Sequence, residues 1–119
     1  QEGFLAIFHL LKKDEPFVVN IYHNAPRGYI YRYLYKVTYQ LIYNVLEEKA
    51  ADMVVREEDK AFIVDFYKYG FVGVMLDWIG KGMKEDYTEI TDRMSVTLDG
   101  SITNSIQNFA NKNLTTFRI

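Results

Sequence analysis

A tyrosine-rich segment between residues 22 and 43 constrains the fold more than any other feature of the sequence. It holds seven of the ten tyrosines in the chain. Part of it alternates with period two, which is typical of a β-strand, at Tyr29, Tyr31, Tyr33 and Tyr35. On this local pattern alone, a strand competes with a helix.

A longer window of the same segment favours the helix. Polar residues recur every four positions and share one face of a helix, at Arg32, Lys36, Gln40 and Asn44. Apolar residues gather on the opposite side, at Ile30, Leu34, Val37, Leu41 and Val45. The tyrosines at 31, 35, 39 and 43 form a row between these two faces. We therefore predict a helix from about Pro26 to Asp52.

Two shorter helices are predicted before it. The apolar residues between 4 and 11 have helical spacing, and this pattern ends at Lys12 and Lys13, cations that favour a helix C-terminus. Asp14 then provides an N-cap, and Pro16 is tolerated in a first helical turn. The second helix should end near residue 22, because the residue before Pro26 is disfavoured in helical geometry.

The segment from residue 56 to Met83 predicts a central helix. It begins with three carboxylates, which favour a helix N-terminus, and is then apolar almost all round. Gly70 and Gly73 lie one turn apart, although each glycine costs a helix interior roughly 0.8 to 1 kcal/mol relative to alanine. The pair indicates that another backbone approaches closely, either within the chain or in a second subunit.

The last predicted helix begins after Asp86, which forms a capping box with Glu89. Its apolar residues form one narrow seam, at Ile90, Met94, Leu98, Ile102, Ile106 and Phe109. We expect a kink at Gly100 and a loose tail from Asn113 onward. The sequence therefore predicts an all-α bundle of about five helices in a single domain over residues 1–119.

Enzyme chemistry is not indicated. The chain has no cysteine, and its two histidines, His9 and His23, lack a partner at the spacing of helical metal sites. The glycine pairs at 70–73 and 80–82 do not follow a strand, as a phosphate-binding loop would. No nucleophile is paired with a base. We predict a protein that is not an enzyme and has neither a metal nor a cofactor.

Hydropathy argues against a membrane-spanning protein, and charge argues against a nucleic-acid-binding one. Charged residues interrupt the longest apolar run, at Asp65, Lys68, Asp77 and Lys81, so no membrane helix is expected. The net charge is −2, whereas a nucleic-acid-binding domain usually carries a basic surface. With no cysteine, a cytoplasmic location is expected.

A spaced pattern in the second half of the chain resembles the C-terminal regulatory domain of TetR-family transcriptional regulators, in the type common in Firmicutes. That family has a Tyr-Gly pair, a second Gly, a Trp, and Gly-Met before a helix cap. This sequence matches it at Tyr69, Gly70, Gly73, Trp78, Gly82, Met83 and Asp86. The resemblance extends over essentially the whole chain. Tyr87 is a departure, because relatives often have Pro after the cap.

The resemblance implies a ligand-binding and dimerisation domain whose last two long helices pair with their two-fold mates in a four-helix bundle. The family's N-terminal helix-turn-helix, which binds DNA, is not found in this chain. The chain also begins at Gln1 without an initiator Met, so we expect it to be a fragment of a longer regulator.

Two sets of residues are predicted to carry this function. With the glycine pair and the apolar seam, the resemblance predicts a homodimer interface at Tyr69, Gly70, Gly73, Asp77, Leu98, Ile102, Ile106 and Phe109. A small apolar or aromatic effector of low charge is predicted to contact Tyr35, Tyr39, Tyr43, Phe66 and Trp78, between the tyrosine-rich helix and the central helix. The alternative is a helical protein-interaction module with a solid interior. A ligand-sized cavity distinguishes the two.

Overall fold

The computed structural model describes residues 2–24 and 26–118, with side chains placed for residues 3–24, 26 and 28–112. Over these residues the backbone forms six α-helices and no strand: α1 (Glu2–Lys13), α2 (Glu15–Asn24), α3 (Arg27–Lys49), α4 (Glu57–Gly80), α5 (Tyr87–Leu98) and α6 (Ser101–Arg118). The predicted all-α fold is confirmed. None of the described helices combines the length and hydropathy needed to cross a membrane.

The tyrosine-rich segment is helical, as the longer sequence window predicts. Its buried residues recur every four positions along α3, at Ile30, Leu34, Thr38, Ile42 and Leu46. The tyrosines at 31, 35, 39 and 43 are half-buried on the flank of this row. The predicted core row was partly misplaced, since positions 37, 41 and 45 are only half-buried.

Helix α4 is the central helix of the bundle. It packs most extensively against α3 and also contacts α2 and α6. Its buried apolar side chains are Ile63, Val64, Phe71, Val72, Met75, Trp78 and Ile79. These residues cover more than one side of the helix, as expected for a segment that is apolar almost all round.

A tight turn caps α4 at Lys81, between the two glycines at 80 and 82 that favour a helix end. The helix stops at Gly80, and Gly82 and Met83 then adopt positive φ angles of 86° and 56°. The Met83 amide donates to the Trp78 carbonyl at 2.9 Å, which closes the turn. The side chain of Met83 is buried, and its carbonyl accepts a hydrogen bond from Lys12 Nζ at 2.9 Å. These contacts hold Met83 in the left-handed conformation.

The segment predicted as the last helix forms two helices, α5 and α6. Asp86 caps α5 as predicted, accepting from the Thr88 amide at 2.9 Å. At Gly100, however, the backbone has a φ of +72°, which breaks the helix where only a kink was expected. The loose tail expected from residue 113 was also wrong, because the α6 backbone continues to Arg118. This tail contains neither Gly nor Pro, so no residue in it stops a helix.

Candidate dimer surface and ligand cavity

One face of α4 leaves large apolar side chains in solvent. Phe62 is 64% exposed, Phe66 is 67% exposed and Tyr69 is 59% exposed. Gly70 and Gly73 lie on the same face, and a Cβ atom added at either position meets nothing within 4 Å. The described part of the chain therefore supplies no backbone that approaches the glycine pair. Packing within the described residues therefore does not account for these glycines.

This face of α4 forms one wall of a groove, and α5 forms the other. The groove has a volume of about 510 Å³, and we call it the outer groove. Its apolar lining consists of Phe66, Tyr67, Gly70, Phe71, Val74, Trp78, Ile90, Met94 and Leu98. Polar side chains also line it, at Asp77, Lys81, Glu85, Arg93 and Thr97. An apolar floor with a polar edge is the usual composition of a protein interface.

Two charged groups of the outer groove differ in their pairing. Lys81 Nζ lies 2.9 Å from Asp77 Oδ2, and this carboxylate raises the pKa of the lysine. Arg93 is exposed and forms no ion pair with any side chain that the structure describes. A guanidinium therefore lies beside the apolar lining with its donors available to another molecule.

Trp78 fixes the connection between α4 and α5. Its indole is 1% exposed and donates through Nε1 to the Glu85 carbonyl at 2.9 Å. Its ring lies 5.1 Å from that of Phe8 and 6.0 Å from that of Tyr87, between centroids. These contacts give Trp78 a structural role, in addition to its place in the lining of the outer groove.

A second cavity lies on the other side of α5. It has a volume of about 590 Å³, and we call it the inner cavity. Helices α1, α3, α4, α5 and α6 all contribute to its apolar lining, which consists of Phe4, Ile42, Val45, Phe71, Met94, Leu98 and Ile102. Hydroxyl and charged groups complete it, at Thr91, Ser95, Thr103, Glu48, Lys49 and Asp99. No sequence pattern indicates this cavity, because its lining is drawn from helices far apart in the chain.

The structure separates the five predicted ligand residues. Phe66 and Trp78 line the outer groove, whereas Tyr35, Tyr39 and Tyr43 line neither the outer groove nor the inner cavity. The three tyrosines lie along α3, on its flank toward α4. The predicted pocket between the tyrosine-rich helix and the central helix is thus not one of these two cavities.

A lysine from α4 covers part of the tyrosine row. Lys68 Nζ lies 5.3 Å from the ring centroid of Tyr35, 5.6 Å from that of Tyr39 and 4.7 Å from that of Tyr69. The same ammonium pairs with Asp65 at 2.9 Å. These cation–π contacts join α3 to α4 and occupy ring faces that a ligand would otherwise use.

Polar contacts extend the tyrosine row toward the start of α4. The Tyr43 hydroxyl donates to Glu57 at 2.9 Å, and this bond, together with nearby Glu47, raises the pKa of the phenol. Lys60 donates to Glu47 at 3.0 Å, which lowers the pKa of that carboxyl. The end of the row is therefore a network of paired side chains that ties α3 to α4.

The predicted interface residues divide between surface and core. Tyr69, Gly70, Gly73 and Asp77 are exposed on α4. Leu98, Ile102 and Phe109 are half-buried. Ile106 is fully buried in its own chain and is excluded from any interface, because it has no surface left for a partner.

The position of α6 explains why Ile106 is buried. The Tyr67 hydroxyl hydrogen-bonds with Ser101 and, at 3.3 Å, with Ser105, so that α6 is held against α4. The α6 part of the apolar seam consequently packs on its own chain. Among the described helices, α4 carries the most exposed large apolar side chains.

The two histidines take part in aromatic contacts. His9 Nδ1 lies 3.1 Å from the Tyr87 hydroxyl, and the His23 ring meets the edge of Tyr22 with centroids 5.1 Å apart. Within the described residues, no group of three or more His, Asp or Glu side chains is arranged to hold a metal ion.

A comparison with protein families identifies the class of this domain. Residues 1–100 match a TetR family described as transcriptional regulator C-terminal region. The chain belongs to this family and is a TetR-type regulatory domain. No curated protein and no solved structure matches the chain significantly.

Proposed function

We propose that this chain is the effector-sensing and dimerisation domain of a cytoplasmic TetR-family regulator of the type common in Firmicutes. Membership of the family supports the role in transcription regulation. In this proposal, an N-terminal helix-turn-helix domain outside the chain binds DNA. The chain itself works by binding, without catalysis and without a cofactor.

The uncovered face of α4 is the observation that carries the dimer proposal. A stripe of exposed Phe and Tyr side chains beside two unobstructed glycines is unfavourable in water, but it suits a close helix crossing. In a two-fold dimer the same face meets itself, so each α4 lies over the partner's outer groove. At 24 residues, α4 is about 36 Å long, which is sufficient for an extended crossing.

This dimer differs in detail from the one expected from sequence. The four-helix bundle consists of α4 and α5 from each copy, and α6 stays within its own chain. Tyr69, Gly70, Gly73 and Asp77 remain proposed interface residues, and Leu98 joins them because it lines the outer groove. Phe66 is reassigned from the effector to the dimer surface, because it is exposed beside the glycines.

The inner cavity supports a small-molecule effector over the alternative of a solid protein-interaction module. Its volume of about 590 Å³ lies within the range typical of ligand sites, roughly 300 to 1,000 Å³. Its lining is mainly apolar, which suits a small apolar or aromatic molecule. A protein partner would instead need an exposed surface, and we assign the exposed apolar face of α4 to the second copy.

Light scattering of the chain at micromolar concentration tests the dimer. We expect about twice the chain mass of 14.0 kDa, because the α4 face is covered only when two copies associate. A mass of 14.0 kDa across the micromolar range would contradict the proposal.

A further inference from the structure

We infer that the inner cavity binds an apolar molecule with a single positive charge, such as an alkyl amine, and that its occupancy weakens the dimer. This inference rests on the proposed effector-sensing function and specifies its site, ligand class and output. It replaces the tyrosine row as the effector site.

The apolar side chains that line the cavity match the apolar part of the ligand. Phe4 and Phe71 stack with ring centroids 4.1 Å apart at one side, where α1 meets α4. Ile42, Met94 and Ile102 extend the apolar lining from three further helices. A hydrocarbon chain or ring placed among these side chains leaves water for an apolar surrounding, which favours binding.

The charge of the ligand is indicated by the charged lining. Glu48 and Asp99 contribute two carboxylates, and Lys49 contributes one ammonium, so the charged groups sum to −1. All three are exposed, and none forms an ion pair with a described side chain. A ligand with one positive charge balances this set. Its charged head group would lie at the solvent-facing carboxylates, and its apolar part would lie inside the cavity.

The link to the dimer follows from a wall that both cavities share. Phe71, Met94 and Leu98 line the inner cavity and also the outer groove. Two of these side chains belong to α5, which packs chiefly on α1. An occupant of the inner cavity therefore presses on residues that form the floor of the proposed dimer surface.

The ends of α5 permit such a displacement. Positive φ angles precede it at Gly82 and Met83 and follow it at Gly100. Both ends are turns and not continuous helix, so α5 can tilt about the turn that Trp78 holds, with its Gly100 end moving farther, without unwinding α4 or α6. We expect an occupant to move α5 toward the outer groove, where a second copy would be bound.

Three probes of equal chain length test the ligand class: n-octylammonium, 1-octanol and octanoate. Binding is followed by calorimetry and by the fluorescence of Trp78, the single tryptophan, which lies beside α5. We expect n-octylammonium to bind most tightly and octanoate most weakly. Tightest binding of octanoate, or no binding of any probe, would overturn the inference.

Two substitutions locate the site. Val45→Phe fills the cavity from α3, and Thr103→Phe fills it from an exposed position on α6, where the fold tolerates a larger side chain. Both should abolish binding of all three probes. Binding to either folded variant with wild-type affinity would show that the probes bind elsewhere, and would overturn the site.

Charge variants test the head group. Glu48→Gln should weaken n-octylammonium about threefold, as expected for a solvent-exposed ion pair, and leave 1-octanol unchanged. The matched control is Glu89→Gln, which removes an exposed carboxylate from α5 outside both cavities and should change neither affinity. Equal effects of the two variants would overturn the predicted charge recognition.

Light scattering with saturating n-octylammonium tests whether an occupied inner cavity weakens the dimer. We expect the dimer dissociation constant to rise, and by reciprocity the monomer should bind the probe more tightly than the dimer. An unchanged constant would overturn the link through α5. The dimer dissociation constant of the ligand-free chain is measured in the same series. A ligand-free dimer that the probe does not weaken would contradict this inference alone, whereas a monomeric ligand-free chain would contradict the proposed dimerisation.

Discussion

At the scale of single residues, the turn after α4 depends on backbone geometry more than on side-chain chemistry. Gly82 has a φ of +86°, and the buried Met83 follows it with a φ of 56°. The Gly-Met pair that marks the family resemblance is thus a turn that directs the chain from α4 into α5. The sequence pattern identifies this pair, but it does not indicate the left-handed conformation of Met83.

Gly82→Ala should destabilise the chain by about 1 to 2 kcal/mol, since a Cβ atom is disfavoured in the left-handed region. Urea unfolding followed by circular dichroism measures the loss. Gly28→Ala serves as the control, because it lies in the first turn of α3 and an added Cβ meets only the flexible end of Arg32. Equal stability of Gly82→Ala and the wild-type chain would show that the turn does not need a glycine.

At the scale of helices, the sequence predicts those elements whose polar and apolar residues repeat regularly. The four-residue repeat identifies α3 despite its alternating tyrosines, and Asp86 marks the start of α5. The break at Gly100 was underestimated, because a glycine within a helical pattern is compatible with a kink, a break or neither. The inner cavity was not predictable, since its lining depends on how five helices are placed in space.

The cap of α5 predicts a specific pH dependence. The Thr88 hydroxyl and amide donate to Asp86 at 2.7 and 2.9 Å and lower the pKa of this carboxyl. Because the pKa is lower in the folded chain than in the unfolded one, the cap stabilises the fold fully above the unfolded pKa of about 3.9 and is lost as the pH falls through the folded value.

Asp86→Asn removes this titration and keeps an N-cap side chain. The melting temperature of the wild-type chain should therefore fall relative to that of Asp86→Asn as the pH is lowered below about 4. Asp92→Asn is the control, since this exposed carboxylate on α5 accepts no hydrogen bond from the described residues. A constant difference between the wild-type chain and Asp86→Asn at every pH would rule out the cap as the cause.

At the scale of the whole molecule, α5 lies between two apolar spaces that the described residues form, the outer groove and the inner cavity. The outer groove lies between α4 and α5, and the inner cavity is lined by five helices and is partly open to solvent. The sequence predicted an interface at the α4 glycines and a ligand site beside α3. The structure leaves the glycines uncovered and has a cavity behind α5, whereas Lys68 and the polar network near Tyr43 contact the tyrosine row along α3.

If the uncovered face of α4 is the dimer surface, Gly73→Leu should separate the two copies. No atom lies within 4 Å of a Cβ at this position, so the variant should keep the helical content of the wild-type chain. Overpacking costs about 1 to 3 kcal/mol per site and occurs twice in a two-fold interface, which raises the dimer dissociation constant at least about 30-fold.

Sedimentation of Gly73→Leu beside Lys36→Leu provides the measurement. The control adds the same side chain on the exposed polar face of α3, away from the outer groove, and should remain a dimer. We expect Gly73→Leu to be folded and monomeric at a concentration where Lys36→Leu and the wild-type chain are dimeric. A folded Gly73→Leu that dimerises with wild-type affinity would contradict the proposed dimer surface.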